Sequence, residues 1–445
     1  MKKLIVIVFL IFLTSGCAQY TRIKNVDLES TISRDTYSQL SHPKKSDDIQ
    51  IFLSLSGGGT RAAAFSYGVL EALRDASISY NDKNTNLLSQ VDVISSVSGG
   101  SFTAAYYGLY GDKIFNDYEQ VFLNRDIQKV LISSLFNPFN WIRFLSSGFN
   151  RTELAVNYYD KFIFKGATFA DFREDMPFIQ INATDLSSGQ PFIFKQEYFN
   201  FICSDISQFK VARAVTASSA VPVVFAPIPL KNHKKCGDFK PDSELVQNTD
   251  DENFRRQIMR ESLRRYLDKD AVQYLHLVDG GIADNLGLRV LYDTINYLGG
   301  PIPLARRIKL SPPRYLVIIL VNAAVSPEKE MDISPDEPEA ADQITAISSA
   351  QISRYSLESI ELLKNSLTQW ATEWSEQAGQ PIKPYFIQVD FSGIQDKKTQ
   401  QFFNTISTSL SLPAEQVKGL REAAKRLLNN SPEYQQLLHD INHPN

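Results

Sequence analysis

The chain has 445 residues, of which 43% are hydrophobic and 11% aromatic, enough to bury a large core as one big α/β domain with extensions or as two domains. Its 46 basic and 50 acidic residues give a formal net charge of −4, which argues against a nucleic-acid binder, whose surface carries a basic face. No stretch is biased enough in composition to read as disordered.

The chain opens with Lys2-Lys3, an apolar run over 4–13, the small residues Thr14-Ser15-Gly16 and then Cys17. The apolar run is too short to span a bilayer as a permanent anchor, so 1–16 reads as a leader to be removed. Its end resembles a bacterial lipoprotein signal, in which Cys17 is lipidated and becomes the mature N-terminus. Thr14 departs from that pattern, where leucine is commonest, and an ordinary secretory leader is the alternative. Ala18 is not the aspartate that favours inner-membrane retention, so an outer-membrane lipoprotein of a Gram-negative cell is expected. Residues 17–47 are polar, without a sustained apolar period, and read as a tether.

From 48 to 325, short β-rich runs alternate with helical stretches. Strands are expected over 50–55, 91–95, 178–184, 191–194, 274–278 and 315–322, and helices over 62–74 and 101–109. Several strand runs are almost continuously apolar, the pattern of strands buried on both faces of a mostly parallel sheet. Two stretches interrupt it. Residues 130–149 carry large apolar side chains without strand alternation and read as core helices or as a lid at the mouth of a lipid site. Residues 248–270 place arginines among acids at helical spacing, either a solvated insertion helix or a head-group contact. With Cys17 assigned to lipid, Cys203 and Cys236 remain, and export leaves both a disulfide and two buried thiols open. From 326 the chain changes character: a proline-punctuated acidic stretch, a long helix over 340–370, a strand over 384–391, and helices over 397–411 and 413–428. This reads as a C-terminal mixed α/β extension with no catalytic constellation.

Two motifs carry chemistry. Ser98, in Ser-Val-Ser-Gly-Gly at 96–100, follows a strand and precedes a helix, as the serine of a nucleophile elbow does. That tight turn needs small residues two before and two after the serine, here Ser96 and Gly100. Gly57-Gly58-Gly59 also ends a strand and opens a helix, and its amides can approach an anion closely. A phosphate-binding P-loop would need Gly-Lys-Ser/Thr and a dinucleotide fingerprint would need G-x-G-x-x-G; neither is present, and an oxyanion hole fits better. Arg61 follows in the first helical turn, in a structural or anion-steering role. For the base there are five histidines. His42, His439 and His443 lie in the tether or near the C-terminus. His276 has opposite strand parity to Asp279, and His233 stays open. Asp279 ends an apolar strand beside Gly280 and Gly281, and an aspartate there can itself serve as base.

Gly-Gly-Gly-x-Arg, a serine elbow and Asp-Gly-Gly in that order resemble the patatin-like phospholipases, which use a Ser-Asp dyad without histidine. Two further stretches agree: Asn-Ala-Thr-Asp-Leu-Ser-Ser-Gly at 182–189, and Ala-Val-Thr-Ala-Ser-Ser-Ala-Val-Pro-Val-Val-Phe at 214–225. The resemblance covers roughly 50–322. It implies a three-layer α/β/α domain in which Ser98 is the nucleophile, Asp279 the general base and Gly57, Gly58 and Gly59 the oxyanion hole, with Arg61, Gly100, Gly280 and Gly281 in support. The departures are Ser56, Ala62 and Ser96, where the family has aspartate, glycine and glycine. Asp284 and Asn285 are candidates to order the base loop, or to serve as turn and cap. The implied activity is hydrolysis of an acyl ester of a membrane lipid, with no metal, organic cofactor or nucleic acid and with the membrane reached through the anchor at Cys17. The alternative is a catalytically weak or inactive lipid-binding envelope protein on the same fold.

Overall fold

Every run expected to be a strand joins one sheet in the computed structural model, which describes residues 23–28, 37–39, 42–80, 83–135, 150–222, 224–241, 253–325, 335 and 337–444. The leader 1–16 and Cys17 lie outside the described residues, as do 136–149 of the first interruption and 248–252 of the second.

The elements that frame the site are, in chain order, β1 (Ile49–Leu55), α1 (Gly59–Asp75), β2 (Val91–Val97), α2 (Gly99–Tyr110), β3 (Phe178–Asp185), β4 (Gln190–Ile193), α3 (Val211–Ser218), β5 (Ile228–Lys231), α4 (Phe254–Arg265), β6 (Tyr274–Asp279), α5 (Gly281–Asp284) and α6 (Arg289–Tyr297). The rest of the fold is β7 (Tyr315–Asn322), α7 (Ala340–Ala378), β8 (Lys383–Asp390), α8 (Lys397–Asn404), α9 (Ala414–Asn429) and α10 (Pro432–Asn442). The sheet runs β8-β7-β1-β2-β3-β6-β5, with β4 also paired to β3. The five strands from β8 to β3 are parallel to their neighbours, whereas β4, β5 and β6 join antiparallel.

Strand parity divides the core between the two faces. In β1, Ile51, Leu53 and Leu55 pack into the larger core, whereas Phe52 packs into the smaller one. In β7, Val317, Ile319 and Val321 join the first and Ile318 and Leu320 the second. Side chains of α1, α2, α3 and α9 fill the larger core; Val290 of α6 also belongs to it, while Ile295 of α6 and Ile360, Leu363 and Trp370 of α7 fill the smaller one. The architecture is three-layer α/β/α. α7 is long, but no helix among the described residues is long and apolar enough to cross a membrane.

The segment read as an extension is built into this same core. β8 pairs with β7 along its whole length. Arg421 of α9 makes a bidentate ion pair with Glu71 of α1, at 2.8 and 3.1 Å. The helix expected over 397–411 stops at Asn404, because Thr405 turns the chain so that Ile406 and Ser409 reach back to α1 and its glycine loop.

The stretch read as a tether is docked where it is described. Val26–Asp27 pairs with Ser204–Asp205, the Tyr37 ring stacks on Phe178 with centroids 4.7 Å apart, and the Tyr37 hydroxyl donates to the Ile179 carbonyl at 2.6 Å. Cys203 and Cys236 form a disulfide with Cα atoms 4.4 Å apart, which closes the choice left open above. The helix Ile127–Leu135 is amphipathic, with Ile127 buried and Val130 and Ile132 exposed. In the arginine-rich stretch, α4 packs rather than standing free: Arg260 is buried and Arg265 pairs with the buried Asp185 at 3.0 Å.

Candidate active site

β2 ends at Val97, and Ser98 takes φ 49° and ψ −118° before α2 begins at Gly99. Positive φ strains a residue with a side chain by about 1–3 kcal/mol and survives only where its surroundings impose it. The Ser98 N–H donates to Ser218 Oγ at 2.9 Å, and the Ser98 carbonyl accepts from the Ser101 N–H at 3.0 Å. Ser218 Oγ in turn donates to the Asn182 carbonyl at 2.6 Å. The glycines after the serine are required by contact. A Cβ on Gly99 would fall 2.0 Å from the Gly59 carbonyl oxygen, and one on Gly100 would fall 2.7 Å from that of Leu55. Ser96 is tolerated in the elbow because its hydroxyl finds an acceptor, the Gln180 carbonyl at 2.9 Å.

The sheet register brings the carboxylate to this serine. On β3, Asn182 pairs with Val97, and the next residue, Ala183, pairs with Asp279. β6 therefore enters antiparallel and stops beside the end of β2. Thr184 Oγ1 donates to the Asp279 carbonyl at 2.8 Å, and the Asp279 N–H donates to the Ala220 carbonyl at 3.0 Å. The carboxylate accepts from the Gly281 N–H at 2.7 Å and from the Ser98 side chain. Burial pushes its pKa up to about 6, and the bonds from Gly281 and Ser98 oppose that rise. The Gly280 N–H donates to the Ser218 carbonyl at 3.0 Å, so one short segment, 218–220, holds both halves of the pair. A Cβ on Gly280 would fall 2.3 Å from the Asn182 carbonyl oxygen, and one on Gly281 would fall 2.7 Å from Asn285 Oδ1. Ser218 received no role from sequence. The only signal for it is its place in the 214–225 stretch.

The glycine loop stands against the same serine: a Cβ on Gly57 would lie 3.3 Å from the Ser98 Cβ. The three glycines are not equivalent. The Gly57 N–H donates to the Asn285 carbonyl at 2.9 Å, and the Thr60 N–H to the Ser409 carbonyl at 2.9 Å. Gly57 is thereby removed from the donors expected to meet an anion, because one N–H already has its acceptor. Among the described residues the N–H groups of Gly58 and Gly59 meet no protein acceptor. They stand at the positive end of α1.

Arg61 is structural. It is 3% exposed, its Nε donates to the Ala323 carbonyl at 2.9 Å and one Nη to the Ile406 carbonyl at 2.7 Å. Burial lowers its pKa to about 10. Ser56 does related work: its Oγ accepts from the Ala323 N–H at 2.9 Å, joining the ends of β1 and β7. Asp284 is buried and accepts from the Arg289 N–H at 2.7 Å and the Leu286 N–H at 3.3 Å, which turns the chain out of the base loop. Asn285 supplies the acceptor for Gly57. Of the two histidines weighed as bases, His276 is exposed and His233 lies against Asn25 and Asp27, with its Nε2 3.1 Å from the Asn25 carbonyl. Among the described residues no three metal-ligating side chains cluster.

A strained hydroxyl bonded to a buried carboxylate, beside two unoccupied amides at a helix N-terminus, can attack a carbonyl and stabilise the resulting oxyanion. A family model described as patatin-like phospholipase matches residues 53–292, a little over half of the chain. No curated protein matches. Among solved structures, human GIVD cytosolic phospholipase A2 aligns at 10% identity and a TM-score of 0.42, over 89% of this chain and 62% of its own. VipD from Legionella pneumophila aligns at 11% identity and a TM-score of 0.34, over 94% of this chain and 71% of its own. The heterodimeric ExoU-SpcU complex from Pseudomonas aeruginosa aligns at 13% identity and a TM-score of 0.23, over 95% of this chain and 78% of its own.

Proposed function

The chain belongs to the patatin-like phospholipase family, and from that premise we propose that it hydrolyses the carboxylic ester joining an acyl chain to a membrane lipid. Asp279 takes the proton of Ser98 Oγ as the oxygen attacks the ester carbonyl. The oxyanion forms beside the Gly58 and Gly59 N–H groups. Collapse expels the lipid alcohol, which takes the proton from Asp279, and leaves an acyl-serine. Asp279 then deprotonates a water that releases the fatty acid and restores the hydroxyl.

The observation that carries the reading is the pairing of Ser98, held at positive φ, with a buried carboxylate whose pKa is raised to about 6. Such a base is ionised near neutral pH yet more basic than a solvated aspartate. In this reading the mature chain begins at Cys17 and is lipid-anchored in the bacterial cell envelope, at the outer membrane. Support comes from the basic and apolar leader that ends at that cysteine, and from the Cys203–Cys236 disulfide, which an oxidising compartment permits. Anchoring would hold the enzyme at the surface that carries its substrate.

A fluorophosphonate probe tests the proposal. Wild-type protein should be labelled and should release fatty acid from lipid extracts, and both should vanish in Ser98→Ala. Folded wild-type protein that takes no label would be a lipid-binding member of the family without turnover, and the hydrolase reading would fall.

A further inference from the structure

A cavity of about 190 Å³ lies between α4, α6 and α7, and it shares no residue with Ser98, Asp279 or the glycine loop. Its walls include the apolar side chains of Met259, Leu263 and Val290. Its charged groups are Arg255, Arg289 and Asp293, which leave one net positive charge. Arg289 is 5% exposed; its Nε donates to Ser359 Oγ at 3.0 Å, and its guanidinium lies 4.3 Å from the Tyr355 ring centre. Among the described residues its two Nη groups have no hydrogen-bond acceptor. Arg255 lies 5.6 Å from the Tyr292 ring centre and likewise has no acceptor. Arg255 is exposed and Arg289 lines the cavity from its buried side, so their donors are open to a ligand there, and a carboxylate matches the guanidinium's fork of donors.

We propose that this cavity binds a small carboxylate with a short apolar tail, its head between Arg255 and Arg289 and its tail against Met259, Leu263 and Val290. Size and charge argue for that class. A cavity of roughly 150 Å³ holds a benzene-sized guest, so this one takes a ring or a short alkyl tail. A monoanion neutralises the net charge, whereas a dianionic phosphate would set a second negative charge beside Asp293. The inference stands apart from the hydrolase reading, because none of these residues takes part in it.

Calorimetry with hexanoate, hexanol and hexyl phosphate on the purified protein tests it. Hexanoate should bind saturably, with hexanol and hexyl phosphate at least tenfold weaker. Arg255→Met should weaken hexanoate at least tenfold, and Met259→Trp, which fills the cavity, should do the same in protein that keeps the wild-type circular dichroism. Ser98→Ala should bind hexanoate as the wild type does. No hexanoate binding to wild type, equal binding of hexanol, undiminished binding in both cavity variants, or loss of binding in Ser98→Ala would each overturn the proposal.

Discussion

Ser218 Oγ accepts the backbone N–H of Ser98 at 2.9 Å while donating to the Asn182 carbonyl at 2.6 Å, so the strained elbow hangs on a hydroxyl 120 positions away in sequence. Ser218→Ala would leave the Ser98 N–H buried without its acceptor. A buried donor so orphaned costs about 1–3 kcal/mol, and the elbow has an unstrained conformation into which to relax. The variant should fold with a lower Tm and lose at least tenfold in kcat, with little change in KM. Fluorophosphonate labelling should slow in parallel. A variant that loses stability but labels at the wild-type rate would show that Ser218 supports the fold and not the geometry of the nucleophile.

The Gly57 N–H is committed to Asn285, yet Gly57 still cannot carry a side chain, since its Cβ would fall 2.4 Å from Asn285 Oδ1. That obstacle is the end of a side chain. The one at Gly99 is the backbone of Gly59. Gly57→Ala should therefore cost at least tenfold in kcat/KM, about 1.4 kcal/mol in transition-state stabilisation, and adding Asn285→Ala should recover most of it. Gly99→Ala should be poorly folded, and Asn285→Ala should not rescue it. Initial rates on a short-chain ester, measured beside thermal melts, decide the matter: a double variant no better than Gly57→Ala would refute the assignment of the clash.

Both motifs were legible because they are local. A triple glycine after an apolar strand and a serine between small residues declare their turns without tertiary information, and the apolar runs of β1, β2, β3, β6, β7 and β8 declare a buried sheet. What stayed hidden depends on pairing. The sequence motif does not distinguish Gly57 from Gly58 as a donor, because the acceptor that claims Gly57 sits at Asn285. β5, Ile-Pro-Leu-Lys, is too short and too interrupted by proline to announce itself. Residues 326–445 read as an extension because a proline-punctuated acidic stretch opens them, but β8 completes the edge of the sheet beside β7. The sequence leaves Arg61 between a structural and an anion-steering role, and its place as a clamp between two carbonyls depends on Ile406, contributed by that same late segment.

The raised pKa of Asp279 sets two pH dependences of opposite sense. As a base it must be ionised, so kcat/KM should rise with pH through an inflection near 6 and level off above it. For stability, a carboxyl whose folded pKa lies above its unfolded value holds its proton more tightly in the native state. The native state is then penalised as pH climbs from about 4 to about 6, with the full penalty above 6. From a rise of about two pKa units the penalty is on the order of 2–3 kcal/mol. Asp279→Asn should abolish turnover and be more stable than wild type at pH 8 by up to that amount, with the difference shrinking toward pH 4. Asp284 and Asp293, also raised to about 6 by burial, titrate in both proteins and cancel in the comparison. Equal stability of the two proteins at pH 8 would mean that the burial of Asp279 carries no such penalty.

Ser96 is the position where the elbow departs most visibly from the family pattern, and its surroundings predict the outcome of reverting it. The hydroxyl is fully buried and donates to the Gln180 carbonyl at 2.9 Å, at the level where β2 meets β3. Asn182 reinforces the same junction, its Nδ2 donating to Ser95 Oγ at 2.8 Å and to the Ser96 carbonyl at 3.1 Å. Ser96→Gly removes the hydroxyl bond and adds backbone freedom to a strand interior, together worth about 1–2 kcal/mol of stability. It does not touch the contacts that hold Ser98: Ser218 still receives its N–H, and Gly99 still lies against Gly59. Chemical denaturation should show a lower midpoint with an unchanged slope, and kcat should stay within twofold of wild type. A large gain in kcat on Ser96→Gly would mean instead that the serine distorts the elbow, and that the hydrogen bond to Gln180 holds Ser98 away from its best angle of attack.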